Sequence, residues 1–182
     1  MVADDGVRMS GGSEKLEVVN LADFDAIAVL YEREMPRLVL FVSTVSGLDF
    51  HAAGDVAQTA FERALPRWAG LRNPKAWLYR VARNEAIARC EAIRREMPAD
   101  LIPEQPYQIS VAEWRDEQRE VLACLKGLPP KQREVMTWTL EGFSDAEIAA
   151  AMGLSADAVK SNRRYAKASL RKRLGLNRRG AR

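Results

Sequence analysis

Apolar residues recur at three- and four-residue spacing along most of the chain, and no stretch alternates long enough to predict a strand. Phe24, Ile27, Tyr31, Met35, Leu38 and Val42 form the first stripe, predicting a long amphipathic helix that starts near Asp23 and ends at Gly47. Pro36 lies inside that stripe and predicts a kink or a break. Val56, Ala57, Ala60, Phe61 and Ala64 stripe a second helix over about 52–68. Its other side carries Asp55, Gln58 and Glu62 within about 60° of one another. A loop at 69–74 leads into a third helix from Pro74 to about Arg95, with the proline at a favourable first-turn position. Trp77, Leu78, Val81, Ala82 and Ile87 are its packing residues. Residues 97–111 hold Pro98, Pro103 and Pro106 with no helical period, and read as a linker. Beyond it, 112–125 is a helix facing Trp114, Val121, Leu122 and Leu125 inward, broken by Gly127-Leu-Pro-Pro130. Residues 131–140 form another, with Val135, Met136 and Trp138.

The last two helices carry the sharpest local signals. Ser144 stands three residues before Glu147, the capping-box spacing, and Gly153 is placed to stop a short helix in a left-handed conformation. Ser155 then caps a helix running to about Arg173. Two helices joined by a tight turn are a helix-turn-helix, whose second helix commonly enters the DNA major groove. On that helix Val159, Ala166 and Leu170 align inward, with Leu174 close by. Lys160, Ser161, Arg164, Lys167 and Arg171 fall outward. A solvated basic helix is the plainer alternative, and the capped helix and glycine turn in front of it argue against that.

Charge sharpens the picture. The formal charge of +3 conceals an alternation: residues 1–60 carry 4 basic and 10 acidic groups, and 61–96 carry 9 and 4. Residues 97–157 carry 5 and 11, and 158–182 carry 10 basic groups and no acidic one. Two basic segments separated by an acidic one predict two contact regions for a polyanion. In the first, Arg72, Lys75, Arg80, Arg83 and Arg89 interleave with Trp77 and Tyr79, a composition suited to unstacked bases. Core packing is the competing role for Trp77, and one ring can serve both. Cys90 and Cys124 lie in no metal-like or redox spacing and are expected to be reduced. The single histidine, His51, makes neither a metal site nor a triad, so no cofactor and no enzyme chemistry are expected. No run approaches a membrane span, residues 1–20 read as a polar disordered tail, and a cytoplasmic location is expected.

These residues resemble the extracytoplasmic-function group of bacterial RNA polymerase sigma factors, within the sigma-70 family. LKGLPPKQREVMTWTLEGFSDAEIAAAMGLSADAVKSNRRYAKASLRKRL is similar to region 4 of that family. FDAIAVLYEREMPRLVLFV, DVAQTAFERAL and NPKAWLYRVARNEAI are similar to regions 2.1, 2.2 and 2.3–2.4. The resemblance implies an all-α chain of two small helical domains joined by a flexible linker. Region 2 would occupy 21–96 and region 4 residues 112–176, with a basic tail at 177–182. It implies that Asp55, Gln58, Glu62 and Arg63 bind the β′ clamp helices of core RNA polymerase, with the β flap as a further contact. It implies that Arg72 and Asn73 capture a flipped base of the −10 element, and that Trp77, Arg80, Arg83 and Asn84 follow the melted non-template strand. Ser155, Lys160, Ser161, Arg164, Lys167 and Arg171 would read the −35 element as duplex promoter DNA.

The partners so implied are core RNA polymerase and promoter DNA, with an anti-sigma factor as an optional third and no membrane. Two departures stand out. Ala88 occupies a usually acidic position, and Asn162-Arg163 replaces a commoner Arg-apolar pair. Two other functions compete: a stand-alone helix-turn-helix regulator, and a sigma-like decoy for an anti-sigma factor. The Asp55–Glu62 face and the Trp77 region are superfluous for the first, and the outward residues of the last helix for the second.

Overall fold

The computed structural model describes residues 21–96 and 116–174, and among them the chain is helical throughout, with no strand. The expected linker at 97–111, the helix start at 112–115 with Trp114, and both tails lie outside the described residues. The first half comprises α1 (Leu21–Ser46), α2 (Phe50–Ala64), a 3-10 turn (Leu65–Gly70) and α3 (Pro74–Glu96). The second comprises α4 (Asp116–Lys126), α5 (Pro130–Leu140), α6 (Asp145–Met152) and α7 (Ala156–Arg173).

Helix α1 runs unbroken through Pro36. The proline faces solvent, where water can satisfy the carbonyl that its missing N–H leaves unpaired. Leu38, Val39, Phe41 and Val42, all buried just beyond it, hold the helix in line. Gly47 then ends α1 with φ +82°, its N–H donating to the Ser43 carbonyl at 2.8 Å. Helix α2 begins at Phe50, because the Asp49 carboxylate accepts the Ala52 N–H at 2.8 Å. Its inner face is mostly alanine: Ala53, Ala57, Ala60 and Ala64 are buried beside Val56 and Phe61, so α1 and α3 approach closely. Pro66 cannot continue the α-helical hydrogen bonding, and the chain tightens into the 3-10 turn instead of reaching Trp68 as α-helix.

In the second half, the Ser144–Glu147 capping box closes in both directions. The Ser144 N–H donates to Glu147 Oε2 at 2.9 Å, and the Glu147 N–H to Ser144 Oγ at 3.3 Å. The hydrogen bonds from Ser144 hold the Glu147 carboxyl below its ordinary range. Gly153 stops α6 at φ +65°, and Ser155 Oγ accepts the Ala158 N–H at 3.1 Å to start α7. Val159 and Ala166 are buried as the periodicity requires, but Leu174 is 53% exposed. It is the C-cap of α7, just past the last helical residue, Arg173. Val121 is likewise exposed, whereas Leu122 and Leu125 carry the inner face of α4.

The two halves share one core. Trp138 of α5 is 1% exposed and meets Phe41 of α1 edge-on at 4.8 Å between ring centroids. Phe143 sits 4.8 Å from Trp138 and 5.1 Å from Tyr79 of α3. Tyr79 is therefore not a surface aromatic beside arginines: it is fully buried at the junction. Its hydroxyl lies 3.0 Å from Glu34 Oε2 and 2.9 Å from Glu141 Oε2, and those carboxylates together with burial keep it protonated. Burial pushes the Glu34 carboxyl up, yet Lys75 and the hydrogen bonds from Tyr79 and Arg33 outweigh it and leave Glu34 below its ordinary value. Arg37 closes the network on Glu141 at 2.9 Å.

Two outcomes are expected. Ser144→Ala removes the cap on α6 and lowers the unfolding free energy by about 1 kcal/mol, measured by chemical denaturation. A carboxyl depressed in the folded state contributes stability that is complete above its unfolded pKa of 4.5 and lost as pH falls through the lower folded value. Thermal unfolding of the wild type should thus weaken across that acidic window, and Glu34→Gln should flatten that part of the profile.

Candidate nucleic-acid interface

Helix α7 presents the expected cations outward. Lys160, Arg164, Lys167 and Arg171 are exposed along one side, with Ser161 half-buried among them. Lys160 is 3.8 Å from the exposed Asp157, a pair weak enough to be released to a phosphate. Arg164 lies over the ring of Tyr165 at 5.0 Å. Tyr165 is 56% exposed, an aromatic on this surface that the inward periodicity of α7 leaves unassigned. Ser155 is exposed but spends its hydroxyl on the helix cap. The departure at 162–163 also finds its place. Asn162 donates back to the Ala158 carbonyl at 2.8 Å, and Arg163 grips Asp145 of α6 through both terminal nitrogens, one of them at 3.0 Å. Arg163 is thus a strut between the two helices of the helix-turn-helix and is turned away from the reading face.

The first half gathers its candidates at the start of α3. Asn73 Oδ1 accepts the Ala76 N–H at 3.1 Å, capping the helix and fixing the loop that carries Arg72. Arg72, Asn73, Trp77 and Arg80 line a cleft of about 380 Å³. Trp77 is half-buried, with part of its ring in the core and part in the cleft. The opposite wall comes from the second half: Trp138, Phe143, Glu147 and Ala151. Arg80 and Asn84 face solvent. Arg83 does not: it is ion-paired with Glu134 of α5. Ala88 is exposed on the same helix, farther along.

The Asp55, Gln58, Glu62 and Arg63 group is exposed on α2, but it divides in two. Gln58 donates to Glu62 Oε1 at 3.3 Å and accepts from the Tyr31 hydroxyl at 3.2 Å. Asp55 turns toward Arg89 at 3.4 Å, and Arg63 toward Glu85 at 2.7 Å. Beside Gln58 and Glu62 runs an apolar groove of about 320 Å³, lined by Phe24, Ile27, Tyr31, Phe61 and Leu65. Phe24 and Tyr31 belong to the stripe expected to pack inward, yet Phe24 is 56% exposed. Tyr31 packs edge-on against Phe61 of α2 at 4.9 Å between ring centroids, and both Phe24 and Tyr31 open onto the groove.

Cys90 and Cys124 are free thiols, and burial pushes Cys90 up, away from thiolate chemistry. No group of three or more metal-ligating side chains and no helix long and apolar enough to cross a membrane occurs among the described residues.

The described residues combine a capped helix-turn-helix whose outer face is basic with a tryptophan-lined cleft between α3 and α6. Residues 30–96 match the family model for Sigma-70 region 2, and residues 118–170 match that for Sigma-70, region 4. The RNA polymerase sigma-E factor of Streptomyces coelicolor is 36% identical over 129 residues, covering 67% of this chain and 71% of the relative. The ECF RNA polymerase sigma factor RpoE of Cereibacter sphaeroides is 26% identical over 159 residues, covering 84% and 88%. Among solved structures, the sigma factor RpoE in complex with the anti-sigma factor NepR from Bartonella quintana superposes with a TM-score of 0.68 at 25% identity, covering 85% of this chain and 99% of that one. CnrH in complex with the cytosolic domain of CnrY shares the fold, with a TM-score of 0.57 at 24% identity, covering 85% and 91%. The chain belongs to the sigma-70 family of RNA polymerase sigma factors, in its extracytoplasmic-function group. It is a factor that directs RNA polymerase to promoters, and the stand-alone regulator and the decoy are not favoured.

Arg163 and Asp145 are each less than one third exposed, so their pair is only partly screened. A double-mutant cycle on Arg163→Ala and Asp145→Ala should return a coupling between about 0.5 and 3 kcal/mol in unfolding free energy. Arg164→Ala, one position on, should leave stability within about 0.5 kcal/mol of wild type.

Proposed function

We propose that this factor reads a promoter in two physical states. Lys160, Ser161, Arg164, Lys167 and Arg171 of α7 contact the −35 element as duplex, the cations serving phosphates and guanine edges. Ser155 shapes the helix start that approaches the backbone. Arg72, Asn73 and Trp77 receive an unstacked −10 base, and Arg80, Arg83 and Asn84 follow the non-template strand. The observation that carries this reading is the pairing of a capped helix presenting four exposed cations with a separate cleft that sets a tryptophan among arginines. A repressor needs the first and has no use for the second.

Asp55, Gln58, Glu62 and Arg63, with the groove beside them, form the docking face for the β′ clamp helices, and the second half adds the β flap. The functional division follows as region 2 at 21–96, a linker at 97–111 and region 4 at 112–176. The factor performs no covalent chemistry of its own, and its place of work is the cytoplasm, with the polymerase. An anti-sigma factor is a fitting further partner, since the RpoE and CnrH structures it resembles are complexes with NepR and with the cytosolic domain of CnrY.

The test is transcription from a genomic promoter library with purified core polymerase. Wild type should start transcripts at discrete sites sharing two elements. Glu62→Lys should lose core association, and Arg164→Ala should keep it while losing starts that depend on the upstream element. Unchanged core association in Glu62→Lys would sink the docking assignment.

A further inference from the structure

Tyr165 places an aromatic ring on α7 where packing does not call for one. Val159 and Ala166 are buried on the inner side of the helix, whereas Tyr165 is 56% exposed and belongs to neither buried cluster. Counted from Lys160 at about 100° per residue, Arg164 stands at about 40°, Ser161 at about 100° and Tyr165 at about 140°. The four therefore share one side of α7, with Tyr165 one turn beyond Ser161.

The ring is engaged by a neighbour. The Arg164 guanidinium carbon lies 5.0 Å from the ring centroid, and Nη2 donates to the Tyr165 hydroxyl at 3.3 Å. Consecutive helical positions do not face each other, so the contact requires the Arg164 stem to bend across. Nearby cations are held differently. Lys160 is 3.8 Å from Asp157, and Arg163 is bound to Asp145. A carboxylate neutralises the cation it holds and must be displaced before another acceptor takes its place. An aromatic face orients a guanidinium through the ring quadrupole and leaves its charge and most of its in-plane donors available.

We propose that Arg164 and Tyr165 read the upstream duplex as one unit: the ring holds the guanidinium in position for O6 and N7 of a guanine, and its free edge covers the methyl group of a thymine at the neighbouring base pair. The inference rests on the assignment of α7 to the −35 element. Tyr165 is a positioning residue through Arg164 and a specificity-determining residue through its own ring. A guanidinium fork matches the two guanine acceptors, and the methyl is the apolar group that marks a thymine in the major groove. A phosphate contact would use the hydroxyl, but here the hydroxyl is taken by Arg164.

The test is core-dependent transcription by the full chain from promoters in which each base pair of the upstream element is replaced in turn. Tyr165→Ala should keep the core association and unfolding midpoint of wild type, while preference at two neighbouring positions falls at least about tenfold. Tyr165→Phe retains the ring and should keep preference within about twofold of wild type. Uracil in place of the contacted thymine deletes only the methyl group. It should weaken wild type about fourfold and leave Tyr165→Ala unaffected, and its effect on wild type stands whatever the variants do. A loss in Tyr165→Ala spread evenly over all positions marks a backbone contact and overturns the inference. So do affected positions with no thymine on either strand, a Phe variant as relaxed as the Ala variant, and a wild type indifferent to uracil. Arg164→Ala separates the two levels. Relaxed preference in Arg164→Ala with full preference in Tyr165→Ala discards the role of Tyr165 alone, and full preference in both discards the reading of α7 beneath it.

Discussion

The burial of Trp138 between the two halves is the contact on which the observed arrangement depends. Phe41 and Phe143 meet it edge to face and Tyr79 lies tilted beside it at 6.2 Å, each such aromatic pair adding about 0.5–1.5 kcal/mol beyond the area it buries. The indole nitrogen finds no acceptor among the described residues, a local cost that the surrounding hydrocarbon must outweigh. The neighbouring charges show the opposite logic. Glu34 is 1% exposed, and a lone carboxylate so buried would be prohibitive. Lys75, Arg33 and the Tyr79 hydroxyl together make it tolerable. Such a cluster is specific more than it is strong, because removing one member strands the others.

Helix positions were legible because their signals are local. A cap needs a serine and a glutamate three apart, and a stop needs a glycine at positive φ; α6 and α7 follow from a dozen residues. Burial was less legible because it depends on neighbours far along the chain. Tyr79 sits among arginines in sequence and reads as a surface ring, yet Glu34, Glu141 and Trp138 converge on it from 45 to 62 residues away. Phe24 and Tyr31 have the right period to be core, yet they line an open groove against α2. Pro36 reads as a break only if its solvent-facing carbonyl side is unknown.

The candidate sites divide along the same line. The outward face of α7 is set by helical phase alone, and phase is visible in the residues. Arg83 has the right type, in the right helix, beside the right neighbours, but whether it is free is decided by Glu134, 51 residues on. Arg163 shows the converse. It departs from the family pattern within the reading helix, yet its side chain is spent on Asp145 and the reading face is left to the residues around it.

The shared core also bears on how such factors diversify. A reading domain that keeps its hydrophobic interior to itself can be exchanged between proteins with little loss. Here the largest fully buried side chain among the described residues, Trp138 of the second half, completes the interior of the first. A transplanted second half with a small residue in place of Trp138 would leave Phe41 and Tyr79 facing a void, and a bulkier neighbour would pry α5 from α3. The two halves are thus bound to vary together at this seam, whatever freedom their DNA-facing surfaces retain.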